Sequence, residues 1–289
     1  VPYLISIIIP CCNSERFLER TLNSVLKQDY PPLEVIAVDD GSTDGTRDIL
    51  KRYPAVRVLS HPRGGNRGVA ASMNLGVTEA QGELIAFMDH DDLWAPQKLR
   101  KQNALLEQYP DIGFVYTKVK VIDENDVELF AVEQDEEGFV GPEELLLRCS
   151  IRTSSSVLLR KELFAETGPF RTDIFSADHD MWLKMAEITR FALLPEYLTF
   201  HRKHTTQLTA SRKIWEDGFI ILNEAVKRYP YSFSCVRKRR AVLHFRLAQY
   251  DWHHAARGRA ALHAARAALN DPLRAARVSA DSVYRKMRG

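Results

Sequence analysis

The chain reads as an α/β protein built on a mostly parallel central sheet flanked by helices, with a helical C-terminal extension. Three observations predict this. Apolar, β-branched runs alternate with helix-period segments along residues 4–201. Several of those runs are apolar throughout, as expected of strands buried on both faces. From Trp215 onward the patterning is helical, and the charge balance changes sign.

The first run, Leu4 to Pro10, is a buried strand. Asn13 and Ser14 offer capping oxygens before a helix with Phe17, Leu18, Leu22, Val25 and Leu26 on one face. Glu34 to Val38 is the second strand and ends at Asp39-Asp40-Gly41-Ser42. A helix over 43–52, a short strand over 56–59 and the loop Gly64-Gly65-Asn66-Arg67-Gly68 lead to an Ala-rich helix over 69–78. Glu83 to Met88 is a further buried strand, ending at Asp89-His90-Asp91-Asp92. A helix over 96–108 and a strand over 113–121 follow, then an acidic loop or ribbon over 123–137. Helices over 142–149 and 161–167 enclose a strand over 154–159. Residues 178–187 read as a helix with Trp182 and Met185 inward, and 191–194 and 198–201 as two short strands.

Ligands of parallel α/β sheets collect beyond the carboxyl ends of the strands. Three such ends here carry Cys12-Asn13, Asp39-Asp40 and Asp89 to Asp92. Asp89, Asp91 and Asp92 would repel one another if all were ionised together. All-oxygen ligation of that kind favours Mg²⁺ or Mn²⁺ over zinc. For Asp92 the competing reading is a cap on the following helix.

The 289 residues suffice for one large α/β domain with a helical appendage. With 45% apolar and 27% charged residues, and short uninterrupted apolar stretches such as Ile7 to Ile9 or Phe219 to Leu222, a spanning helix is not expected. The first strand begins almost at Val1, so a signal peptide is not expected. Cys11, Cys12, Cys149 and Cys235 form no paired CxxC spacing, so a zinc site is not expected and a reducing, cytoplasmic setting is. Residues 211–289 hold 17 basic and 6 acidic residues, a balance of +11, whereas the remainder holds 23 and 32, a balance of −9. We therefore divide the chain into residues 1–210 and a basic extension over 211–289.

These motifs, taken in order, resemble the family-2 glycosyltransferases. The resemblance rests on Pro10-Cys11-Cys12-Asn13, on Val38 through Thr46, on Gly68 and Asn74, and on Asp89 through Trp94. It continues with Asp178, Asp180, Trp182 and Leu183, and with Arg202 and His204. It implies the nucleotide-sugar-binding fold called GT-A and inverting transfer of a hexosyl residue from a nucleoside-diphosphate sugar, a UDP-sugar first of all. The acceptor would be a hydroxyl on a glycan or lipid-linked glycan, in bacterial surface glycan assembly. Pro10, Cys12, Asn13, Asp39, Asp40, Arg67, Asn74, Asp89 and His90 would then bind the donor. Asp89, Asp91 and His204 would hold Mn²⁺ or Mg²⁺. Asp178 would be the general base; the alternative is that it caps its helix. Trp94 is open between lining the acceptor site and packing in the core.

The pattern is broken at a few positions. Cys12 stands where the family carries an aromatic that stacks on the base, Met73 where it carries Arg, and Ala177 where it carries Glu. Arg63 or Arg67 could replace the missing diphosphate contact. The basic extension admits a helical hairpin, peripheral contact with anionic lipid, or a homodimer interface, and nucleic acid is not expected as a partner. Two rival functions are a sugar nucleotidyltransferase and a catalytically silent scaffold. The first would need a Gly-rich basic loop directly after the first strand, where Cys11-Cys12-Asn13-Ser14 stands. The second is opposed by the intact Asp89, Asp91 and Asp178.

Overall fold

The computed structural model describes residues 2–62, 64–133, 138–204 and 211–274. In chain order its elements are β1 (Ile5–Cys11), α1 (Leu18–Leu26), β2 (Leu33–Asp39), α2 (Thr46–Lys51), β3 (Val56–Ser60), α3 (Val69–Glu79) and β4 (Leu84–Phe87). They continue with β5 (Leu93–Trp94), α4 (Lys98–Gln108), β6 (Ile112–Ile122), β7 (Glu128–Ala131), β8 (Gly138–Val140) and α5 (Pro142–Leu147). A 3-10 turn (Ser154–Ser156) precedes β9 (Val157–Arg160), α6 (Leu163–Thr167), α7 (Ala177–Ala186) and β10 (Arg190–Arg202). The last three are α8 (Lys213–Arg228), α9 (Phe233–His253) and α10 (Arg257–Asn270). The chain divides into two compact units. One comprises Val1–Gly141, Cys149–Asp173 and Ala177–Gln207; the other comprises Pro142–Arg148, Ile174–Ser176 and Leu208–Gly289.

The first unit holds the sheet, in the order β3-β2-β1-β4-β9-β6-β10-β5, with β7 on β6 and β8 on β10. β3, β2, β1 and β4 are mutually parallel, as the alternation of strands and helices predicts. The other half is mixed. β9 runs antiparallel to both β4 and β6, while β6 and β10 are parallel. The reason is where β9 starts: the Asp89 N–H donates to Ser155 Oγ at 2.9 Å, so the 3-10 turn lies at the carboxyl end of β4. A strand that begins there must run back along its neighbour.

β1 is buried along its whole length, which is why its sequence does not alternate. Ile5, Ile7 and Ile9 join Leu18, Leu22 and Val25 of α1 and Leu99 and Leu106 of α4 in one core. Ile8 points the other way, against α3. A Cβ on Gly76 would come within 2.4 Å of its Cγ2, so only glycine lets α3 approach this closely. On that second face Phe87 of β4 packs against Phe164, Phe170 and Trp182.

One reading needs correction, and one element was not foreseen. Residues 191–194 and 198–201 are not two strands but parts of β10, which shifts register around Tyr197. Pro195 sits at that irregularity, where a missing N–H breaks the ladder without ending the strand. The two-residue β5 was not expected at all, being too short to produce a pattern.

The second unit is helical. Asp217 of α8 is buried and accepts the N–H groups of Phe175 (2.6 Å) and Ser176 (3.2 Å). Ser232 caps α9 by accepting the Cys235 N–H at 3.2 Å. α9 and α10 form a hairpin in which His244 Nδ1 and His263 Nδ1 lie 3.1 Å apart.

Candidate functional site

The parallel strands β1, β2 and β4 end along one edge, and the polar motifs of the sequence gather there. Pro10 is paired with Val38 inside the sheet. Asn13, just beyond β1, adopts φ 50, a left-handed conformation that asparagine tolerates better than most residues. Its Oδ1 accepts the Thr43 N–H at 2.8 Å and its own N–H donates to Ser42 Oγ at 3.1 Å, which pins β1 to the turn after β2. Cys12 is half-buried, and its sulfur accepts from Asn66 Nδ2 at 3.1 Å.

Asp39 and Asp40 are both buried. Asp39 accepts the Ser42 N–H at 3.0 Å and Arg47 Nε at 2.6 Å. Burial works to raise its pKa, but these hydrogen bonds outweigh it and hold the carboxyl below its usual range. Asp40 receives the backbone N–H groups of Arg67 (2.6 Å) and Gly68 (2.7 Å), one on each oxygen. It thereby shapes the glycine loop and leaves the Arg67 side chain exposed. Gly41 makes this possible: at φ +80, a Cβ there would lie 2.9 Å from the Gly65 carbonyl carbon. Met73 is buried in α3, and Arg63 lies outside the described residues. Asn74 stands apart from this group; its amide makes a reciprocal pair with the backbone of Phe170, both bonds 2.8 Å.

The second group forms around the end of β4. Thr153 Oγ1 lies 2.9 Å from Asp89 Oδ2 and 3.0 Å from Asp92 Oδ2, so one hydroxyl proton faces two carboxylates. Asp92 is fully buried, accepts the Arg202 N–H at 2.9 Å and lies 3.1 Å from His201 Nδ1. It does not cap the following helix: α4 begins at Lys98, and its N-cap position, Gln97, makes no side-chain cap. Asp91 Oδ2 lies 2.8 Å from His204 Nε2, and the His204 ring packs on Phe17 with centroids 5.1 Å apart. The His90 carbonyl accepts from Thr21 Oγ1 at 2.9 Å.

The electrostatics follow from this crowding. Burial, then the charges of Asp92 and Asp91, push Asp89 up to about 7. Burial works to lower the His201 pKa, but the charge and hydrogen bond of Asp92 raise it to about 9. Asp92 itself stays below the ordinary range: burial raises it, and His201 and the hydrogen bonds lower it further. Among the described residues no three His, Cys, Asp or Glu side chains are disposed to hold a metal ion alone. Asp91 and His204, with Asp89 beside them, could supply part of a hard-cation shell that phosphate oxygens and water would complete.

Asp178 lies in the first turn of α7 and accepts the His179 N–H at 2.8 Å. It is open to solvent, yet enough protein surrounds its carboxyl that desolvation raises its pKa. An accessible carboxyl on a poorly hydrated wall is suited to taking a proton from a bound hydroxyl. Asp180 is buried and paired with Lys184 at 2.7 Å. Trp182 is fully buried and packs on Phe87, which ties α7 to the strand that Asp89 follows. Trp94 belongs to the core: its Nε1 donates to the Ser155 carbonyl at 2.7 Å.

Residues 6–168, more than half of the chain, match the model of glycosyl transferase family 2. The chain belongs to that family. This glycosyltransferase is 45% identical over 101 residues to the putative teichuronic acid biosynthesis glycosyltransferase TuaG of Bacillus subtilis, a match covering 34% of this chain and 40% of that protein. It is 31% identical over 188 residues to WfgD of Escherichia coli, a UDP-Glc:alpha-D-GlcNAc-diphosphoundecaprenol beta-1,3-glucosyltransferase, covering 63% of this chain and 70% of WfgD. Its fold is that of the mannosyltransferase PcManGT of Pyrobaculum calidifontis, solved with GDP-Man and Mn²⁺. That superposition has a TM-score of 0.66 at 23% identity and covers 99% of this chain and 81% of PcManGT. The GT-A architecture expected from the motifs is therefore present.

Sequence reasoning missed Thr153, Ser155 and His201 in the glycosyltransferase. The run Thr153-Ser154-Ser155-Ser156 ahead of an apolar strand was the available signal for the first two. His201, three residues before His204, had only that proximity to mark it.

Proposed function

We propose that this glycosyltransferase is a metal-dependent, inverting hexosyltransferase that uses a nucleoside-diphosphate sugar, a UDP-sugar first of all. The acceptor is a hydroxyl on a glycan or lipid-linked glycan of the bacterial surface, and the reaction takes place in the cytoplasm. The observation that carries the reading is the pairing of Asp91 with His204 next to Asp89, on the sheet edge that also bears Asp39 and Asp40. UDP-glucose and a lipid-linked acceptor in the name of WfgD, and teichuronic acid in that of TuaG, support the substrate classes. Catalysis is assigned to residues 1–210, with 211–289 as a helical extension.

In this reading Pro10, Cys12, Asn13, Asp39, Asp40, Arg67, Asp89 and His90 form the donor side, and Asn74 positions the Phe170 segment. Cys12 offers no aromatic face, so ~1–3 kcal/mol of base stacking is absent from the donor's binding. Asp89, Asp91 and His204 would hold Mn²⁺ or Mg²⁺, which would supply positive charge against the departing diphosphate. Asp178 accepts the proton of the acceptor hydroxyl as its oxygen attacks the anomeric carbon. The bond to the diphosphate oxygen breaks on the opposite face, the configuration inverts, and the nucleoside diphosphate leaves with the electron pair.

The test is thermal unfolding with UDP, GDP and their sugars, each with and without Mn²⁺. A ligand at ~100 times its Kd adds about 2.7 kcal/mol. A Mn²⁺-dependent rise for UDP compounds is expected. No rise for any nucleotide would remove the donor site and favour the silent scaffold. A rise confined to GDP compounds would keep the transferase and replace the base.

A further inference from the structure

The α9–α10 hairpin has an unusual charge balance. Between Phe233 and Asn270 it carries eight Lys and Arg residues, and its acidic residue is Asp251. Asp251 is fully buried, with Arg212 at 3.3 Å and Arg259 at 3.6 Å. Lys238, Arg240, Arg246, Arg257, Arg259 and Arg266 are exposed, and no exposed carboxylate of the hairpin offsets them.

The same hairpin holds large apolar side chains in water. α10 buries Ala260 and Ala267 and leaves Leu262 51% and Leu269 78% exposed. Leu262 and Leu269 are seven residues apart and so share a face, with Ala265 between them; Arg259 and Arg266 repeat at the same interval alongside. Trp252, at the end of α9, is exposed, with the Arg257 guanidinium 3.8 Å over its ring.

We propose that this face of α10 docks on an anionic lipid bilayer, with Leu262 and Leu269 entering the interface and Arg259 and Arg266 meeting lipid phosphates. Cations alone would suit any polyanion, but leucines between them gain nothing from a polyanion in water. A bilayer surface supplies negative headgroups and an apolar layer together. A second copy of the chain fits less well, because a two-fold pairing of α10 would set the arginines of both copies against each other. The contact is one of lying on the surface: no helix among the described residues is long and apolar enough to cross a membrane.

The experiment is co-sedimentation of the full chain with phosphatidylcholine vesicles, with and without phosphatidylglycerol, at low and high salt. Nucleotide binding in the same preparation reads the first unit independently, so failure here and failure of the proposed function are distinguishable. We expect binding to the anionic vesicles, with a blue shift of tryptophan emission. Arg259→Gln with Arg266→Gln should weaken it about thirtyfold, and Leu262→Gln with Leu269→Gln about a hundredfold or more. These side chains are exposed, and circular dichroism will check that the helices persist. Absence of binding overturns the proposal, and so does undiminished binding by the leucine variant, which would mean adsorption by charge alone. A concentration-dependent dimer lost in the leucine variant, without vesicle binding, would assign the face to self-association instead.

Discussion

His204 Nε2 lies 2.8 Å from Asp91 Oδ2, a contact between residues 113 positions apart that joins the end of β10 to the acidic motif after β4. Phe17 backs the imidazole, and Arg202, two residues earlier, donates from Nε to the Asp91 carbonyl at 2.7 Å. The pair is therefore braced by β10 on one side and by the residue that precedes α1 on the other.

If the pair belongs to the cation shell, His204→Ala should weaken Mn²⁺-dependent nucleotide binding on the order of 10–100-fold. Asp91→Ala should abolish the Mn²⁺ effect. Calorimetry with UDP at a series of Mn²⁺ concentrations measures both. Unchanged Mn²⁺ dependence in His204→Ala would restrict the imidazole to a structural role.

Asp178→Asn keeps the shape of the side chain and removes its basicity. Transfer to the acceptor should fall about 10²–10⁴-fold in kcat, with the nucleotide-induced thermal shift intact. Loss of folding together with activity would instead identify the carboxylate's bond to the His179 N–H as its main purpose.

Asp89, raised to about 7 by burial and by Asp92 and Asp91, holds a proton below that pH. A divalent cation must displace that proton, so Mn²⁺-dependent binding should strengthen as pH rises through about 7 and then level off. Calorimetry in buffers of different ionisation enthalpy should detect proton release, and Asp89→Asn should remove it. A flat profile through neutrality would show that Asp89 does not take part.

Arg202 is fully buried; besides Asp91 and Asp92 it contacts the Asp123 carbonyl at 2.7 Å and Asp126 at 2.5 Å. Arg202→Ala keeps the backbone N–H to Asp92 but leaves the Asp91 and Asp123 carbonyls and the Asp126 carboxylate without their partner, and should cost ~3–5 kcal/mol of stability. Arg202→Lys should recover only part, because a single ammonium cannot serve such divergent acceptors. Urea unfolding of the three proteins provides the comparison.

His244 is held down to about 4, first by burial and then by His263, Arg266 and Arg240. Its unfolded value is 6.5, so between about 4 and 6.5 the unfolded chain binds the extra proton. The helical unit should lose stability as pH falls through that window. Helix melts by circular dichroism between those limits are the measurement, and His244→Gln should flatten the dependence.

The sequence by itself determined the α/β class, the run β1, β2, β3 and β4, and the three strand ends where the polar motif residues gather. It could do so because burial on both faces writes unbroken apolar runs, and because the acids and glycines that end those runs are adjacent in the chain. Only the tertiary structure decided how the later segments join this edge. The antiparallel entry of β9, the hydroxyl of Thr153 between Asp89 and Asp92, and the approach of His201 and His204 depend on contacts across 61 to 113 positions. Such contacts are set by sheet order and packing, which leave no periodic trace in the residues that make them. The same holds for Asp92, whose place before a helix suggested a cap and whose burial beside Arg202 gave it another partner.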